Sequence, residues 1–180
     1  MPRTSAAALS ALLTLSFVAM PHAIHAQAIS AACKPVLDAH TKEISTPHHL
    51  NLTQTDPGKS PTTLETITTA TKTFMMLDGK WVGGESHPQD EIAQMQENLR
   101  NTKVYQCREL PDASIDGVAT IVYFAHSEND IMKTDTKLWV EKSTGLIIHE
   151  EIDMYNDPSV RRHVVERFDY KNVQPPPGAK

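Results

Sequence analysis

From Lys103 to Lys171 apolar and polar residues alternate with period two between short turns, and no other feature of the chain narrows its fold as much. Successive side chains of a strand point to opposite faces, so such a pattern describes strands with one covered face. It predicts strands at 103–110, 117–126, 134–142, 145–155 and 160–171. The connections are Pro111-Asp112, Asp116-Gly117, Asn129-Asp130, Ser143-Thr144-Gly145 and Asn156-Asp157-Pro158, all rich in turn-forming residues. Connections this short make successive strands antiparallel neighbours, hence a meander.

Two of these strands define a face. Leu146, Ile148, Ile152 and Met154 point one way, and Ile147, His149, Glu151 and Asp153 the other. Val160, Val164, Phe168 and Tyr170 repeat the pattern opposite Arg161, His163, Arg167, Asp169 and Lys171. Val118, Val122 and Phe124 alternate with Ile121 and Tyr123, which suits a central strand. Glu150, Arg162 and Glu166 fall on the apolar face, where a hairpin can bring Arg162 near Glu150. Two readings stand: wet sheet ends that leave the charges exposed, or a charged spot inside an apolar cavity. In the second, the charges must be paired, and the pair can orient a ligand head group.

The amino-terminal half reads differently. Residues 34–44 suit a short helix, with Pro35 in its first turn and Cys33, Leu37, His40 and Ile44 on one face. His48-His49 reads as exposed loop, and 54–63 as loop. The threonine-rich stretch 64–77 reads as one long strand, turned by Asp78-Gly79 into Trp81 and Val82. A second helix is predicted over 88–100, capped by Ser86, with Ile92, Met95 and Leu99 as a narrow apolar stripe. Sheet plus two short helices is an α+β domain.

Residues 1–28 read as a signal peptide: Arg3, the apolar run 6–20, then Ala26-Gln27-Ala28 with cleavage after Ala28. The run is too short to span a bilayer, and no later stretch is long enough. Lipidation of Cys33 is disfavoured, because the apolar run ends well before it. The mature chain is therefore expected to be exported as a single domain, 29–173, with a flexible proline-rich tail at 174–180. Its only cysteines, Cys33 and Cys107, are expected to form a disulfide in an oxidising compartment.

Catalytic motifs are absent from the sequence: there is no G-x-S-x-G, no glycine-rich phosphate loop and no H-E-x-x-H. No catalytic, cofactor or metal residue is assigned, and a non-enzyme is expected. A formal net charge of −5 provides no basic field for nucleic acid. Candidate ligand contacts are Leu146, Ile148, Glu150, Ile152, Met154, Arg162, Val164 and Phe168. An apolar face this long must be covered, and two narrow helical stripes leave space at one edge unless the strand at 64–77 folds over it.

KTFMMLDGKW (72–81), KLWVEKSTGLIIHEEID (137–153) and RRHVVERFDYKNV (161–173), in the order helix, long strand, D-G-K-W hairpin, helix, meander, resemble the LolA-like superfamily. That resemblance implies a strongly curved antiparallel sheet, a half-open barrel, with helices on its concave side. It also implies an apolar partner held between sheet and helices: a small molecule, a lipid or an acylated protein segment. The chain departs from the carriers of that superfamily in its 6% aromatic content and its expected disulfide. The alternative expectation is a non-catalytic interaction or sensor module docking an envelope protein without lipid cargo.

Overall fold

Residues 30–178 are described by a computed structural model; the expected signal peptide and its cleavage site lie outside them. A short 3-10 turn at Ala31–Cys33 leads into helix α1, Lys34–Ile44, with Pro35 in its first turn as the sequence suggested. Its buried stripe is shifted by about one residue from the expected face: Cys33, Val36 and Ala39 are buried, while Leu37 is only half-buried. Helix α2 spans Pro88–Arg100, as expected. Its cap is His87 without a side-chain bond, and Ser86 instead donates to Glu91 Oε1 at 3.0 Å.

Nine strands are present among the described residues: β1 (His48–Thr55), β2 (Thr62–Thr68), β3 (Lys72–Leu77), β4 (Lys80–Glu85), β5 (Val104–Ile115), β6 (Val118–Glu128), β7 (Lys133–Glu141), β8 (Ile147–Tyr155) and β9 (Arg162–Asp169). They form one antiparallel sheet in the order β4-β3-β2-β1-β9-β8-β7-β6-β5. Each half is a meander. α2 carries the chain from the β4 edge to the β5 edge, and β9 then closes the middle by pairing with β1. The two edges do not meet, so the sheet is curved and half open.

Three expectations are corrected. His48 and His49 belong to strand β1, whose alternation His48, Leu50, Leu52 puts those residues on one face. The stretch 64–77 is two strands. The chain reverses at Thr69–Thr71, where the Thr69 hydroxyl donates to Lys72 O and accepts from Lys72 N at 3.1 Å. Threonine hydroxyls thus do the work usually left to glycine or proline, so the turn had no obvious marker. Pro111 does not end β5. The strand continues to Ile115 with its register shifted between Leu110 and Ala113, which proline tolerates because β5 is an edge strand.

The helix-bearing face, called inner below, holds the main buried cluster. Val36 and Ala39 of α1 pack on Tyr123, Ala125, Leu138, Val140 and Ile147, with Tyr105, Ile121 and Phe168 around them. Cys33 and Cys107 are joined as expected, tying the start of α1 to β5. In the tail, Pro176 is buried, so at that residue the segment expected to be mobile lies against the body. No helix among the described residues is long and apolar enough to cross a membrane.

Candidate functional site

Strand register sets which side chains share the inner face. One cross-sheet row runs Val82, Met75, Thr66, Leu50, Phe168. The next runs Leu64, Leu52, Glu166, Glu150, Leu138, Tyr123, Glu109. A third runs Thr62, Gln54, Val164, Ile152, Thr136, Ala125, Cys107. α1 covers the β5–β8 side of these rows. On β1–β4 the apolar residues of this face are only half-buried or exposed, and α2, which joins β4 to β5, buries none of its own residues fully: its stripe Ile92, Met95 and Leu99 stays half-buried.

The uncovered part is apolar. Leu52, Leu64 and Ile152 are half-buried, and Met75, Leu77 and Val82 are 36%, 46% and 52% exposed. At its far end lies a pocket of about 410 Å³, walled by Pro57, Met132, Met154 and Val160. Ile131, 82% exposed, stands beside them. Arg162 and Lys59 flank the same pocket, and both contact Asp56: Arg162 Nε donates at 2.8 Å and Lys59 Nζ lies at 3.3 Å. The bond from Arg162 holds the Asp56 carboxyl below its usual range.

The eight residues singled out from the sequence do not all meet here. Val140 pairs with Ile147 but Trp139 pairs with His149, so Ile148 is an extra, bulged residue. A bulge shifts the side-chain alternation by one place. Ile147, expected on the polar side, is therefore fully buried beneath α1. Leu146 and Ile148, expected beside Ile152 and Met154, instead line an outer cleft of about 790 Å³ with Trp139 and His149. The Trp139 and His149 rings lie 4.7 Å apart there, with Lys137 Nζ 4.4 Å above the indole. Glu150, Ile152, Met154, Arg162, Val164 and Phe168 remain on the inner face. Arg162 does not reach Glu150. It stands opposite Met154, and Glu150 stands opposite Glu166.

That pairing creates a carboxyl cluster no single strand announces. Glu43 of α1 lies over Glu150 and Glu166, and among the described residues none of the three forms an ion pair with Lys or Arg. Burial pushes Glu150 up to about 8. Glu43 also rises to about 8, first through burial and then through its carboxylate neighbours. Glu166 rises to about 7 for the same two reasons. His40 Nε2 sits 3.8 Å from Glu150, too far for a hydrogen bond. Burial lowers the pKa of both His40 and His48. His48 packs edge-on against Phe168 at 5.6 Å.

The outer face carries a second polar row, His126, Asp135, Asp153, His163, of which Asp153 and His163 were expected on the polar face of their strands. His126 Nδ1 lies 2.6 Å from Asp135 and His163 Nδ1 lies 2.9 Å from Asp153. The Tyr155 hydroxyl donates to Asp135. The bond to Asp135 raises the His126 pKa. The clue was available, since each of these residues lies on the polar face of its strand. Among the described residues no group of three His, Cys, Asp or Glu is placed to hold a metal ion.

Fold and site together define an open-sheet α+β protein with a partly uncovered apolar inner face. No protein-family model matches the chain, and no curated protein matches it. Among solved structures it is similar to LprF from Mycobacterium bovis, at 11% identity and a TM-score of 0.43, over 84% of this chain and 99% of that one. It is similar also to lipoprotein LppX of Mycobacterium tuberculosis, at 11% identity and a TM-score of 0.42, over 78% and 100%. A LolA superfamily protein from Nitrosomonas europaea follows at 9% identity and a TM-score of 0.30, over 78% and 92%. The LolA-like resemblance noted in the sequence is of this kind, a likeness of fold outline that says nothing of cargo.

Proposed function

We propose that the chain is an exported, periplasmic binding protein that holds an apolar ligand, an acyl chain of a lipid or of an acylated protein segment, against the uncovered part of the inner face. The observation that carries this reading is the continuity of that surface. Leu52, Leu64, Ile152, Met75 and Val82 face one side of the sheet and are half-buried or exposed, and the surface ends in the pocket beside Met154 and Met132. Apolar area of this kind gains roughly 25 cal/mol per Å² when covered, which an acyl chain supplies. The disulfide supports an oxidising compartment, and with it export. The reading is non-catalytic, without cofactor or metal.

Native mass spectrometry of the purified mature chain, followed by titration with a fluorescent fatty acid, tests it. Binding that weakens about tenfold in Leu64→Gln, with the fold intact, supports the proposal. A wild type that binds no apolar probe refutes it. That outcome favours an interaction module instead, because Ile131 and Val160 project from two neighbouring loops at 82% and 56% exposure, where an envelope protein can dock.

A further inference from the structure

Three carboxyls meet where α1 crosses the sheet, and each arrives from a different element: Glu43 from α1, Glu150 from β8 and Glu166 from β9. Their surroundings offer little to neutralise a charge. His40 faces them from α1, His48 from β1, Tyr105 from β5 and Tyr170 from just beyond β9; Glu91 of α2 adds a further acid. The Glu150 side chain is 6% exposed.

Hydrogen-bond geometry says where one proton must be. His48 Nδ1 lies 2.8 Å from the carbonyl oxygen of Thr46, which can only accept, so Nδ1 carries the hydrogen. In the neutral ring Nε2 is then an acceptor, and it faces Glu43 Oε1 at 3.3 Å. That contact is favourable only if Glu43 donates a proton to Nε2 or has transferred it there. Remove the proton and two acceptors face one another in a buried layer. Glu150 and Glu166, directly opposed on neighbouring strands, meet the same conflict once both ionise.

The two ends of α1 are held differently. The Cys33–Cys107 disulfide pins its start to β5 covalently. Its other end, from His40 to Ile44, is held by this cluster and by the bond from Lys42 Nζ to Thr144 O. We infer that the C-terminal end of α1 is a proton-dependent latch: it stays down on the sheet while Glu43, Glu150 and Glu166 carry protons, and lifts about the disulfide when they ionise together. Lifting admits water to charges that cannot be paired where they are. It also uncovers Phe168 and Leu50, which border the apolar surface. On the binding reading given above, rising pH would therefore open that site from its α1 side.

Hydrogen exchange of the mature chain without ligand, at about pH 6 and about pH 9 and corrected for intrinsic rates, tests the latch. The amides of residues 40–46 should lose about tenfold or more in protection at the higher pH, while those of β6 and β7 keep theirs. The loss should shrink in the Glu150→Gln, Glu166→Gln double variant and in Glu43→Gln, and vanish when all three are replaced by Gln. Unchanged protection in the wild type, or an equal loss in the variants, overturns the latch. A fluorescent fatty acid titrated at both pH values separates the two ideas. A pH-dependent latch with no probe binding leaves the latch standing and defeats the binding reading; binding without the exchange change does the reverse.

Discussion

Alanine at Ile147 and at Ile148, one residue apart, should have very different costs. Ile147 is fully buried between Val36 and Ala39 of α1 and Leu138 and Val140 of the sheet. Alanine there removes three carbons, or about 2.4 kcal/mol at about 0.8 per methylene. The cavity left under a helix tethered by a disulfide collapses only in part and adds up to about 2 kcal/mol more. The expected loss is therefore about 2.5 to 4.5 kcal/mol. Ile148, the unpaired residue of the bulge, is half-exposed at the outer cleft and should lose about 1 kcal/mol or less. Urea unfolding followed by tryptophan fluorescence, with unchanged slope, measures both. If Ile148→Ala costs as much as Ile147→Ala or more, the bulge is misplaced and strict alternation through β8 is restored.

Other outcomes follow from the same geometry. Replacing Cys33 and Cys107 by Ser frees a loop of about 75 residues, for which chain entropy gives roughly 4.5 kcal/mol; a urea midpoint insensitive to the replacement would refute that anchoring role. Thermal stability should fall as pH rises from about 6 to about 9. Glu43, Glu150 and Glu166 have folded values of about 8, 8 and 7 against an ordinary 4.5, so their contribution is full below the ordinary value and lost on passing the folded ones. Glu150→Gln should flatten that fall; a wild-type melting temperature that rises over this range contradicts the buried cluster. His40 and His48, whose values are lowered, act in the opposite sense, and their contribution is lost as pH falls below their ordinary 6.5. Arg162→Ala should raise the Asp56 pKa measured by NMR titration and leave that of Glu150 unmoved, because Arg162 is spent on Asp56.

Much of the fold was legible from local pattern. Both helices announced themselves through first-turn prolines and short apolar stripes, and the strands of the meander through alternation and turn residues, because these signals act over a few neighbouring residues. The two-cysteine count in a chain with an export-like leader sufficed for the disulfide. What the sequence could not show depended on partners distant along the chain. The turn at Thr69–Thr71 has no glycine or proline, and β1 carries enough Asn, Gln and Thr to pass for loop, yet it lies inside the sheet with β2 and β9 on either side. The bulge at Ile148 inserts one residue, and with period two one residue exchanges the faces, so the apolar set was misassigned up to Ile148 and correct from Glu150 onward. Arg162 and Glu150 shared a face as read, but register separates them along the strands and sets Glu166 opposite Glu150 instead. Alternation reports which side of a strand a residue occupies; only the pairing of strands, and the helix laid across them, decides which charges meet and whether they can remain ionised.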